Sequence, residues 1–174
     1  MARGTTMASR DDGRTITATE AAEPPPIGAL FAFAAMLPIG AGAVYLWIGD
    51  EAQSFLTVNL TLLWGAAILT FLAGVRRGVS FRQPGGPTLS QLATMLWLYG
   101  LGFLAIVETV WAYTLTATAL EFVGFLSLAA LDPIAAKNGE APLFFASLRP
   151  IQMAIPIVAL PVLGYYVWQS PLFG

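Results

Sequence analysis

The chain has 174 residues, 57% of them hydrophobic and only 10% charged, with a formal net charge of −2. A soluble domain carries about 25% charged residues, so this composition points to a bilayer as the solvent for most of the chain. Cysteine and histidine are both absent, which excludes disulfides, iron–sulfur clusters, thiol catalysis, His-ligated haem or zinc, and Ser-His-Asp chemistry.

Residues 1–26 are polar and end in Glu23-Pro24-Pro25-Pro26. They hold too little apolar surface to fold and read as a disordered cytoplasmic tail. Asp11, Asp12, Glu20 and Glu23 set against Arg3, Arg10 and Arg14 argue against a mitochondrial presequence, which is poor in acids. Residues 27–168 then read as five transmembrane helices, an all-α bundle, followed by a short C-terminal tail over residues 169–174.

The first helix is expected over about 27–48, kinked at Pro38 and ending on the interfacial aromatic Trp47. An acidic turn follows at Gly49-Asp50-Glu51. The second helix covers about 55–75. Ala66, Thr70 and Gly74 recur along it every four residues, a small-residue stripe suited to helix packing. A basic loop is expected from Arg76 to Pro87, carrying Arg76, Arg77 and Arg82 and closed by Pro84-Gly85-Gly86-Pro87.

The third helix is expected over about 88–107, capped by Thr88 or Ser90 and closed at Glu108 by a tight turn. The fourth covers about 110–131 and stops at Asp132-Pro133. The loop from Asp132 to Arg149 is the longest, and its apolar Leu143-Phe144-Phe145 is expected to dip into the membrane interface. The fifth helix covers about 150–168, with Pro150 in its first turn, bends at Pro156 and Pro161, and an aromatic belt of Tyr165, Tyr166 and Trp168.

Five spans place the tail, the second loop and the fourth loop on one side. Those segments hold Arg3, Arg10, Arg14, Arg76, Arg77, Arg82, Lys137 and Arg149, all eight basic residues. The opposite side holds Asp50, Glu51 and Glu108 and no basic residue. The asymmetry predicts a cytoplasmic N-terminus and a periplasmic C-terminus.

Glu121 is the candidate intramembrane polar site, because an ionised carboxylate is costly at mid-helix. Thr114, Thr118 and Glu121 share one helix face by their spacing. One reading is a proton- or cation-handling site facing Asn59 or Gln91 on another helix. The favoured reading is a neutral acid hydrogen-bonded to a threonine or a backbone carbonyl, acting as interhelical glue. The Arg76, Arg77, Arg82 cluster reads either as a contact for anionic lipid or an acidic partner, or as a topology determinant alone, which is favoured. Three arginines beside a membrane do not support nucleic-acid binding. Asp132 and Arg149 bracket the fourth loop and are placed to pair across its mouth as an exposed, weak ion pair. The pattern carries no metal spacing, phosphate loop or nucleophile elbow, so no cofactor is expected.

The run from Trp64 to Gly78, WGAAILTFLAGVRRG, resembles the second-helix signature of an uncharacterised proteobacterial membrane family that includes mitochondrial transmembrane protein 69. Asp132 and Leu148-Arg149 are similar to later positions of that family. Ala73 stands where the family has glycine, and Arg77 where it has tryptophan. The resemblance implies five helices and a bacterial inner-membrane home, and it implies no catalytic residue. The expected function is a non-enzymatic membrane protein, an accessory or assembly subunit of a larger inner-membrane complex. The alternative is a small proton-coupled permease centred on Glu121.

Overall fold

The computed structural model describes residues 23–81 and 86–173. Residues 1–22 of the tail expected over 1–26, the loop residue Arg82 and the final Gly174 lie outside the described residues. Among the described residues the regular structure is entirely helical. Five segments are long and apolar enough to cross a membrane: Pro26–Ile48, Glu51–Ser80, Leu89–Val110, Thr114–Lys137 and Phe145–Gln169. The shortest has 22 residues, about 33 Å of helix, and a bilayer core is about 30 Å thick.

The first segment is two helices, α1 (Pro26–Ala34) and α2 (Leu37–Ile48). Pro38 has no N–H and cannot continue the preceding turn, so the helix breaks just before it. At the break the bonds tighten: Met36 N–H donates to Phe33 O at 2.9 Å, and Ile39 N–H to Met36 O at 3.2 Å. This releases the carbonyls of Ala32 and Ala35 from their usual helical donors. Side chains from other helices replace those donors, as described below.

A short 3₁₀ turn (Glu51–Gln53), capped by the Asp50 carboxylate accepting from Ala52 N–H at 3.0 Å, leads into α3 (Ser54–Ser80). This helix runs past the expected boundary and carries Arg76 and Arg77 on its last turns rather than in a loop. Arginine is a good helix former, and the breaking Pro84-Gly85 pair comes only later. Next, α4 (Leu89–Val110) starts in a capping box: Thr88 Oγ1 accepts from Gln91 N–H, and Gln91 Oε1 accepts from Thr88 N–H.

The turn between α4 and α5 (Thr114–Lys137) is tight, as expected, but falls later, at residues 111–113. Tyr113 N–H donates to Glu108 O at 2.8 Å across Ala112, whose φ of 65° puts it in the left-handed region. The end of α5 has the same bond pattern, with Glu140 N–H donating to Ala135 O across Gly139. Asp132-Pro133 does not end the helix: α5 continues to Lys137. Pro133 withholds one donor, from the Ala129 carbonyl, one turn before the helix terminus, and Asp132 is fixed by ion pairs to two other helices.

The last helix, α6 (Phe145–Gln169), begins five residues before Pro150, which therefore lies inside it. Phe145 is buried against Ala135, Ala136 and Ala141. It anchors the start of α6 instead of dipping into the interface.

Helices α2, α3, α5 and α6 pack around one another in that order, with α2 returning to α6, and α4 lies in the outer groove between α3 and α5. Their core contains Met36, Ile39, Leu62, Leu69, Phe125 and Leu160. No residue of α1 is buried. At the end opposite the arginines, Trp47 stacks on Tyr165 with ring centroids 6.1 Å apart and meets Tyr166 edge-on. Tyr166 also donates to Ser54 Oγ at 2.8 Å. The expected aromatic belt thus joins α2, α3 and α6 at one end of the bundle.

Candidate functional site

Two buried polar clusters lie in the bundle. The first sits near the end that carries Arg76, Arg77, Lys137 and Arg149. Asp132 on α5 is 1% exposed and Arg149 on α6 is 6% exposed. Arg76, one helical turn from the end of α3, donates from Nε to Asp132 Oδ1 at 2.7 Å, and its Nη2 closes on the same oxygen. On the other side of the carboxylate, Arg149 Nε lies 2.9 Å from Asp132 Oδ2 as an ion pair without hydrogen-bond alignment. Arg149 Nη1 donates to Gln152 Oε1 at 2.8 Å, and Gln152 Nε2 donates to Ala32 O at 2.8 Å. The Arg149 guanidinium also lies over the Phe145 ring, 4.3 Å from its centroid.

The chain of contacts therefore runs from α3 through α5 and α6 to the break in the first span. Gln152 occupies one carbonyl released by that break. Trp64 on α3 occupies the other, donating from Nε1 to Ala35 O at 2.8 Å. The break at Pro38 and the polar residues of α3 and α6 are parts of one arrangement, because backbone carbonyls inside a membrane need donors.

The expected Asp132–Arg149 pair forms, with one correction: it is buried rather than exposed, and Arg76 completes it. Arg76 and Arg77 also do not act as one patch. They are adjacent on a helix and so about 100° apart around its axis. Arg76 turns inward to Asp132, while Arg77 lies over the Phe81 ring at 4.2 Å. Neither composition nor spacing marks Gln152 or Trp64 as a donor to a distant helix. The available signal was their placement within one turn or two of residues already singled out, combined with a proline in a distant helix whose freed carbonyls need donors.

The second cluster surrounds Glu121 on α5, which is fully buried. Thr114 and Thr118 share its face, as the spacing predicts, and both are buried. Thr118 Oγ1 donates to Thr114 O at 2.7 Å. That hydroxyl is thereby directed along its own helix. The Glu121 carboxyl lies against α3 at Gly65, where a Cβ would collide with Oε2 and stand 2.9 Å from Cδ. Neither carboxyl oxygen has an aligned hydrogen-bond partner among the described residues. Asn59 and Gln91 do not face it. Asn59 donates to Phe55 O of its own helix, and Gln91 belongs to the α4 cap, with a further contact to Glu140 O at 3.4 Å.

The small-residue stripe divides. At Ala66 and Thr70 it receives α4: a Cβ on Gly102 would stand 3.0 Å from Ala66 O and 2.8 Å from Thr70 Cγ2. Gly74 is exposed, with open space beside it, so the packing surface ends at Thr70. The missed contacts are those of Gly65 and Gly102, small residues that admit a carboxyl group and a helix backbone respectively.

No group of three or more acidic, histidine or cysteine side chains placed to hold a metal occurs among the described residues. Compared with known protein families, curated proteins and solved structures, the chain matches none.

Proposed function

We propose that this is a non-catalytic integral membrane protein that serves as an accessory or assembly subunit of a larger complex in a bacterial inner membrane, with its N-terminus cytoplasmic and its C-terminus periplasmic. The orientation is supported by the eight basic residues that five spans would place on one side, and the bacterial home by the resemblance of the Trp64–Gly78 run to the proteobacterial family. One observation carries the subunit reading. The buried ionisable side chains are engaged within the bundle: Arg76, Asp132 and Arg149 tie three helices together, and Glu121 is closed in against Gly65.

The outward surfaces are apolar and aromatic. Trp97, Tyr99 and Phe103 stand exposed on α4, which flanks the other helices. Such surfaces suit lipid or the helices of other subunits.

The test is purification of the tagged protein at native level in mild detergent, followed by mass spectrometry. A stoichiometric set of membrane proteins is the expected result. Recovery of the protein alone, with no partner after cross-linking, overturns the reading and moves weight to transport centred on Glu121.

A further inference from the structure

Beyond the subunit reading, we propose that the cavity between α1, α3 and α6 holds one acyl chain of an anionic phospholipid, with the lipid phosphate at Arg149. The cavity has a volume of about 320 Å³, within the range of ordinary ligand sites. Its deep part is apolar, lined by Met36, Ile68 and Leu72, and its polar lining is Arg149 and Gln152.

Charge selects the occupant. Arg76, Asp132 and Arg149 form a largely buried group of two cations and one anion. The excess positive charge is costly in a low-dielectric setting unless an anion meets it. Two of the three guanidinium nitrogens of Arg149 are directed to Asp132 and Gln152. The third makes no hydrogen bond within the described residues.

Depth selects a bilayer lipid. Arg149 is four residues into α6, about 6 Å from its start, which is where a headgroup phosphate sits when the helix begins at the membrane surface. Ile68 is eight residues before Arg76 on α3, about 12 Å deeper along the helix. Phe31 and Phe71 flank the cavity and are 70% and 64% exposed, so its side opening lies among residues that face acyl chains. A neighbouring lipid can therefore enter laterally.

The experiment uses the full chain in nanodiscs of equal dioleoyl phosphatidylglycerol and dioleoyl phosphatidylcholine, released for native mass spectrometry. One phosphatidylglycerol should remain bound, favoured about fivefold over phosphatidylcholine. A Cβ on Gly28, which lines the cavity, meets only Pro25, no closer than 3.9 Å, so Gly28→Phe adds bulk there without replacing any residue of the charged group. It should abolish the retained lipid with an unchanged thermal midpoint in lipid-free detergent. Arg149→Gln should remove the headgroup preference. If that variant does not fold, Gly28→Phe decides alone. Equal retention of both lipids, full retention by Gly28→Phe, or recovery of free fatty acid in place of phospholipid overturns the proposal.

Discussion

The Asp132 cluster and the Glu121 site are both buried polar groups in an apolar bundle, and they are accommodated in opposite ways. Asp132 has partners of opposite sign on two other helices, and the contacts continue through Arg149 and Gln152 to a broken helix. Glu121 is held by shape, in the space left where Gly65 lacks a side chain. The first arrangement depends on charge balance among residues far apart in sequence. The second depends on the absence of one methyl group. Substitutions at the first should therefore behave as breakages of a network, and substitutions at the second as changes in fit.

The largest expected effect is at Asp132. Asp132→Ala leaves Arg76 and Arg149 facing each other with no anion between them, and removing one partner of a buried ion pair costs about 3–5 kcal/mol. Chemical unfolding in mixed detergent micelles should show that loss. The double variant Asp132→Asn with Arg149→Gln removes one of the two facing cations and keeps an amide oxygen that can accept from Arg76, so it should recover part of the loss. If the single variant is nearly neutral, the cluster is not a network in the energetic sense and the contrast with Glu121 fails.

Gly65→Ala comes next. The added methyl must displace the Glu121 carboxyl or push α3 from α5, and overpacking of this kind costs about 1–3 kcal/mol. Combining it with Glu121→Ala should relieve the collision, so the pair should show strong coupling in a double-mutant cycle. Additive effects would mean that Gly65 is not what receives the carboxyl.

A smaller loss is expected for Gln152→Leu, which removes the donor to Ala32 O and the acceptor for Arg149 while keeping bulk. Polar contacts between membrane helices are worth about 0.6 kcal/mol on average, and an orphaned buried carbonyl adds to that, so about 1 kcal/mol is the expected total. Hydrogen exchange should rise locally over residues 32–36, where the carbonyl would lose its donor. Unchanged exchange there would detach the first span from the cluster.

The difference between the two sites also explains what the sequence reveals. Five spans are legible because a long apolar run is a property of a single segment. Thr114, Thr118 and Glu121 are legible as one face because helical spacing is local. The roles of Arg76 and Gln152 are not, because each depends on which helices become neighbours. Arg76-Arg77 reads as a loop when charge alone marks a helix end, yet arginine continues a helix whose next residues do not break it. Pro133 reads as a stop, yet one missing donor near a helix terminus is a small loss beside two ion pairs at the preceding residue. Gly74 fits the spacing of a packing stripe, but spacing does not say how far the neighbouring helix reaches.

The smallest effect is expected for Glu121→Gln, and it separates the two ways of burying a polar group. Neither Glu121 oxygen has an aligned partner among the described residues, so replacing the carboxyl by an amide of nearly the same shape orphans no donor. Fit against Gly65 is retained. Stability should change by less than about 1 kcal/mol, within the usual range for polar contacts between membrane helices, far less than for Asp132→Ala. The same variant bears on function, since a proton- or cation-carrying acid cannot be replaced by an amide without loss of flux. Wild-type behaviour in both unfolding and proteoliposome flux measurements is the expected result, and it would mark Glu121 as a packing residue that happens to be acidic. A stable fold with lost flux would instead make the carboxyl chemistry, rather than its shape, the reason it is there.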